Sequence, residues 1–203
     1  ILTDPRWDMK FIGMQIVIEG LALSAFATTR ETTPDPILKD IVYLVTRDEA
    51  RHVTFGVNYL EEFVKTLSEE EREERAQFAY EACAISRERL VATDVFRYFG
   101  WDVEEARKKV LDGFVMSTFR NLLFQRVIPN LGRIGLLTEG VRPRFEELGI
   151  LEYQNIATDG DIDWSALERP LDTEEAQSYE QSMLAEFAKK HEEAEAAKTS
   201  SAA

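Results

Sequence analysis

Apolar residues recur every three or four positions along most of the chain, which is the period of an amphipathic helix. No convincing alternation of apolar and polar residues between turn signals, the pattern of a half-buried strand, interrupts this period. The sequence therefore predicts an all-α fold.

Helix-start signals divide the first part of this pattern into two long helices. Asp4–Pro5 and Asp35–Pro36 each place a capping carboxylate directly before a proline that fits the first helical turn. We expect the first helix to run to about Arg30 and the second to about Leu67. The breakers between them predict a helical hairpin.

Two further helices are predicted after the hairpin. Ser68 and Glu71 have the spacing of a capping box and should start a helix that reaches Phe99. Asp102 begins a fourth helical segment, and we expect this segment to break or bend at Pro129.

The C-terminal part is less regular, because glycine and proline punctuate it. We expect residues 1–131 to form a helical bundle around the pair 4–67, and residues 132–197 to add short helices and loops packed on that bundle. A last helix is predicted over Asp172–Ala197, and the tail 198–203 should be disordered.

Charge and cysteine content limit the partners and the compartment. The chain has 203 residues and a net charge of -14, which would repel nucleic acid and anionic membrane surfaces. The single cysteine, Cys83, cannot form an internal disulfide, so we interpret it as a buried inert thiol of a cytoplasmic protein. Polar residues interrupt the apolar run around 12–26, and we therefore expect no membrane span.

Three residues of the hairpin stand out chemically. Glu49 and His52 lie three positions apart, so a helix places their side chains on one face, where they can bind a common metal ion. Glu19 lies in one of the most apolar stretches of the chain, where a carboxylate must be neutralised, paired or bound to a cation.

Helix geometry brings the three residues together. Glu19 lies roughly 15 Å before the turn and Glu49 lies roughly 20 Å after it, at 1.5 Å per residue. In an antiparallel hairpin, Glu19, Glu49 and His52 therefore reach similar heights. Each has a simpler alternative when taken alone: Glu49 and His52 as a surface pair, and Glu19 as a half-exposed helical residue.

The pattern Ile18-Glu19-Gly20, followed by Asp48-Glu49-Ala50-Arg51-His52-Val53-Thr54-Phe55-Gly56, resembles the second half of a ferritin-like di-iron carboxylate protein. The small subunit of ribonucleotide reductase and related ligand-binding oxidases are the most similar members. The resemblance implies a ferritin-like helical bundle with additional C-terminal helices. It makes Glu19, Glu49 and His52 metal ligands of two iron ions, or of a site that also accepts manganese.

The resemblance also assigns supporting roles. Asp48 would bond to the ligand histidine of the other helix pair, and Arg51 would pair with the matching acid of that half. The only other histidine, His191, lies in a charged tail and is expected to be solvated. Half of the ligand set is therefore missing, and either an N-terminal helix pair upstream of Ile1 or a second copy in a homodimer would supply it.

The implied function is O2 activation by two ferrous ions and oxidation of a small organic substrate. Aromatic and aliphatic residues near the ligands either line a substrate pocket or belong to the core: Leu23, Phe26, Phe55, Tyr59 and Phe63. Two other functions remain open. One is iron oxidation and storage, and the other is a metal-free helical interaction protein.

Two charged segments are interpreted without a ligand. Arg87, Glu88 and their charged neighbours on the third helix are expected to form a solvated face or an interhelical salt bridge. The acidic run 159–163 lacks the twelve-residue pattern of a calcium loop, so we interpret it as an ordinary loop.

Overall fold

The computed structural model describes residues 4–113, 116, 119–120 and 122–161. All regular secondary structure in these ranges is helical and no strand occurs in them, which confirms the predicted all-α bundle. The helix predicted over Asp172–Ala197, the tail 198–203 and His191 lie outside the described residues.

The first helix, α1, spans Trp7–Thr32 and is α-helical on both sides of a π-helical stretch, Ile12–Ile18. The predicted start at Asp4 and Pro5 is wrong. The Asp4 carboxylate accepts hydrogen bonds from the backbone N–H and the guanidinium of Arg6, at 2.9 and 3.0 Å. It thereby forms a turn before the helix and does not cap it.

The second helix, α2, spans Pro36–Val64 and forms an antiparallel hairpin with α1. Asp35 caps it as predicted, because its carboxylate accepts hydrogen bonds from the backbone N–H groups of Ile37 and Leu38. Its end at Val64 lies close to the predicted end at Leu67.

The third helix, α3, spans Glu69–Arg89. Ser68 and Glu71 form the predicted capping box: the Ser68 hydroxyl accepts the Glu71 backbone N–H, and the Glu71 carboxylate accepts the Ser68 backbone N–H. The predicted continuation to Phe99 is wrong. Ala92 adopts a left-handed backbone conformation with φ of 52°, which ends the helical path.

Within the described ranges, the next helices after α3 whose bounds are complete are α4 over Thr93–Tyr98, α5 over Val103–Asp112 and α6 over Phe124–Arg133. Asp102 caps α5 as expected. The predicted fourth segment does not break at Pro129, which lies inside α6, but is interrupted earlier, at Gly113, where α5 ends. Most of this helix is buried, and its packing outweighs the one backbone hydrogen bond that proline removes.

The region after α6 packs against the bundle. It contains α7 over Arg142–Glu147 and 3-10 turns over Leu151–Asn155 and Asp159–Asp161. Leu136, Phe145 and Ile150 are completely buried and belong to the same hydrophobic core as α1, α2 and α3.

Helix α1 is long and apolar enough, by length and composition, to cross a membrane. The buried core helix of a soluble protein meets the same criterion, and α1 contributes Ile12, Ile16 and Leu23 to the core. The absence of a membrane span therefore stays a prediction.

Cys83 is buried on α3 and makes no disulfide. Burial in apolar surroundings raises the pKa of its thiol, which disfavours the reactive thiolate. The structure thus agrees with the interpretation of Cys83 as an inert core residue, while the cytoplasmic location stays a prediction.

Candidate metal centre

The hairpin brings the three predicted ligand residues to one place. Each of Glu19, Glu49 and His52 offers an oxygen or nitrogen atom, and these atoms all lie within 4.8 Å of one another. His52 Nδ1 lies 3.3 Å from Glu49 Oε2, across one helical turn of α2. Two carboxylates and one imidazole therefore converge from two helices.

The carboxyl group of Glu19 is partly buried. Its Oε2 atom is buried and has no hydrogen-bond partner. Burial raises the pKa of the Glu19 carboxyl, the nearby Glu49 raises it further, and His52 opposes both effects. A cation placed between the three side chains would compensate the buried carboxylate and the repulsion between the two acids.

Two backbone features close to this cluster in sequence were not foreseen. The π-helical stretch Ile12–Ile18 directly precedes Glu19, and such stretches often occur at functional sites. Gly56 lies at a close approach of α2 to α1, because a Cβ atom built there would lie 2.7 Å from Gln15 Cβ. A glycine inside a strongly helical pattern was the available sequence signal for Gly56, whereas the π stretch had none.

We expect Gly56→Ala to destabilise the protein and to widen the hairpin at the cluster. The added methyl group would clash with Cβ of Gln15, an atom that cannot move without the backbone. Overpacking should therefore destabilise the protein by about 1–3 kcal/mol, more than the roughly 1 kcal/mol by which alanine stabilises a helix relative to glycine. Urea unfolding measures the change. Gly132→Ala on α6 is the matched control, since its added atom would lie 3.4 Å from a flexible leucine methyl group. Equal stabilisation of both variants would contradict the close approach.

Asp48 and Arg51 contact each other rather than a ligand of the cluster. Arg51 Nη1 donates to Asp48 Oδ1 at 3.1 Å on the exposed side of α2. The partners that the resemblance assigns to them belong to the other helix pair, so their supporting roles stay predictions.

The cluster lies on a face of the hairpin that the described residues leave uncovered. His52 is exposed there, as are Phe55 and Tyr59, with 58% and 52% of their surface accessible. We call this the exposed face. Its large apolar members are Met14, Ile18, Ile41, Val45, Phe55 and Tyr59.

Five residues were expected either to line a pocket or to belong to the core, and the structure places only one of them in the core. Leu23 is completely buried and belongs to the core. Phe55 and Tyr59 lie on the exposed face and stack with ring centroids 5.8 Å apart, and Phe26 and Phe63 are half-buried. Such an apolar face is typical of a surface that another protein segment covers.

A buried polar network holds the C-terminal region against α2 and α6. The Asp159 carboxylate accepts hydrogen bonds from Arg126 at 2.5 Å and from Asn130 at 2.8 Å. Its backbone carbonyl accepts a hydrogen bond from the Thr54 hydroxyl, within the Glu49–Gly56 motif. The acidic run contributes a structural residue, which its classification as a loop did not foresee.

Comparison with protein-family models, with curated proteins and with solved structures gave no match to this chain. The candidate centre therefore rests on its own geometry.

Proposed function

We propose that the chain provides half of a di-metal carboxylate-histidine centre, with Glu19, Glu49 and His52 as ligands. The convergence of their donor atoms within 4.8 Å, from two helices and on one face, carries this proposal. The function we infer is that of a di-iron oxidase or oxygenase that uses O2 to oxidise a small organic substrate.

The donor set fits such ions. Carboxylate oxygens together with an imidazole nitrogen suit iron and manganese, and iron is the first expectation. The buried, unpartnered Oε2 of Glu19 is the observation that favours a cation over a surface ion pair. When bound, two such ions would supply the redox chemistry that activates O2.

The chain's own residues would hold the ions and exclude water. Glu19 directly follows the π-helical stretch of α1, and Glu49 and His52 lie one turn apart on α2 with their side chains 3.3 Å from each other. The exposed face on which the cluster lies carries several large apolar side chains. Once covered, they would form a dry lining for an organic substrate.

A second helix pair would complete the centre. Three ligands are half of the set that a di-iron bundle uses, and the exposed face is the side from which the others would come. Either an upstream helix pair of a longer chain or a second copy of this chain meets this requirement.

We expect the full chain to bind iron through these residues. Anaerobic equilibrium dialysis against Fe²⁺, followed by mass-spectrometric metal analysis, measures even weak binding. The Glu49→Ala/His52→Ala double variant should lose the bound iron. The matched control is Asp48→Ala/Arg51→Ala, which changes neighbouring residues of the same helix and should retain iron.

The same samples distinguish the two sources of the second half. A dimeric mass by light scattering, with two ions per two chains, would favour a second copy. A monomer with weakly held iron would favour an upstream helix pair. Failure of the wild-type chain to bind iron, or equal binding by all variants, would refute the proposed ligand set.

A further inference from the structure

A buried arginine near α3 and α5 has no hydrogen-bonding or ion-pair partner among the described residues. Arg120 is 6% exposed, and its Nε atom makes no hydrogen bond. Burial lowers the pKa of Arg120, and the charges of Arg87 and Arg107 lower it further, against the opposing effect of Glu88. A buried, unpaired cation is costly, and its presence calls for a counter-charge.

The surrounding charges do not supply that counter-charge. Glu88 binds Arg107 in a two-pronged salt bridge between α3 and α5, the interhelical arrangement expected from the sequence. Arg87, beside Glu88, has a buried Nε atom without a partner. Among these four residues, three cations share one carboxylate, although the whole chain carries a net charge of -14.

The helix dipole explains only part of the positive charge at Arg87 and Arg120. Arg87 lies in the last turn of α3, where the helix dipole favours a cation. Arg120 is also helical, but its Nε atom is buried without a hydrogen-bond acceptor, and a helix dipole does not supply one. The excess positive charge at Arg120 therefore remains to be neutralised.

We propose that Arg87 and Arg120 bind a small oxyanion, a carboxylate or a phosphate group, at a site that shares no residue with the candidate metal centre. Guanidinium groups present a planar fork of N–H donors that matches the oxygens of these two groups. Glu88 and Arg107 are partly exposed, so the cluster is open to solvent on their side. The ligand would neutralise the charge that the protein leaves unpaired.

Thermal unfolding of the full chain tests this site. Inorganic phosphate and acetate are the probes, each compared with chloride at equal ionic strength. A ligand that binds only the folded chain should raise the melting temperature by roughly 5–10 °C at about one hundred times its Kd. A rise with only one probe would identify the ligand class, and a rise with either supports the site.

Variants assign the effect to Arg120. R120Q should abolish the rise, whereas R89Q should retain it, because Arg89 is an exposed cation of the same last turn of α3. In chloride, R120Q should melt at the same temperature as the wild type or higher, since an unpaired buried charge is removed. R87Q should weaken the rise and provides the same test should R120Q fail to fold.

Three results would overturn the site. The first is no rise beyond that in chloride for the wild type. The second is an undiminished rise in both R120Q and R87Q. The third is a lower melting temperature of a folded R120Q in chloride, which would show that Arg120 already has a stabilising partner.

Discussion

Replacement of Asp159 by alanine should lower the free energy of unfolding by about 2–4 kcal/mol, because it removes a charged acceptor and leaves the buried Asn130 amide without its hydrogen-bond partner. Asp159 is only 1% exposed and accepts hydrogen bonds from both Arg126 and Asn130. Its loss would also weaken the attachment of the last described turn to α2 at Thr54. Urea unfolding followed by circular dichroism measures the change.

Asp94→Ala is the control for this experiment. Asp94 pairs with Arg97 in the same chemical way, but its side chain is almost fully exposed. Surface pairs of this kind contribute little, so the control should unfold at nearly the wild-type urea concentration. Equal loss of stability in the two variants would mean that the buried hydrogen bonds of Asp159 stabilise the fold no more than an exposed ion pair does.

Phe145→Ala should have an effect of similar size, about 3–5 kcal/mol, through the cavity that it leaves. Phe145 is completely buried on α7 and packs edge-on against Tyr80 of α3, with ring centroids 5.4 Å apart. The measurement is again the urea midpoint. A large loss is expected because α7 belongs to the same core as the hairpin.

Phe99→Ala removes the same side chain from a site that is 61% exposed, and it should change stability far less. A small effect of Phe145→Ala, close to that of the control, would show that the region after α6 is dispensable for folding. The pair of variants therefore tests whether the C-terminal region is an integral layer of the bundle.

Local signals predicted where helices start better than where they end. Asp35, Ser68 and Asp102 each cap a helix as expected, because capping depends on one side chain and the next few backbone groups. The end of α3 at Arg89 and the passage of α6 through Pro129 depend on tertiary packing. No signal within a few residues contains that information.

The convergence of Glu19, Glu49 and His52 was predictable because it depends only on regular helix geometry near the turn. The height estimate for Glu19 used only the stretch between this residue and the turn, which is regular α-helix. The estimate therefore did not involve the π-helical stretch on the other side of Glu19. The hydrogen bonds of Asp159 join distant segments, and the burial of Arg120 depends on tertiary packing, so no periodicity within one helix could have revealed either.

The π-helical stretch also affects how this chain should be aligned with related sequences. A π turn accommodates one residue more than an α turn, and one residue corresponds to a rotation of about 100° around the helix. Trp7, which packs against Phe63, and Glu19, which faces His52, can thus both point toward α2. An aligned relative with a regular α-helix here would need a one-residue gap between these two positions.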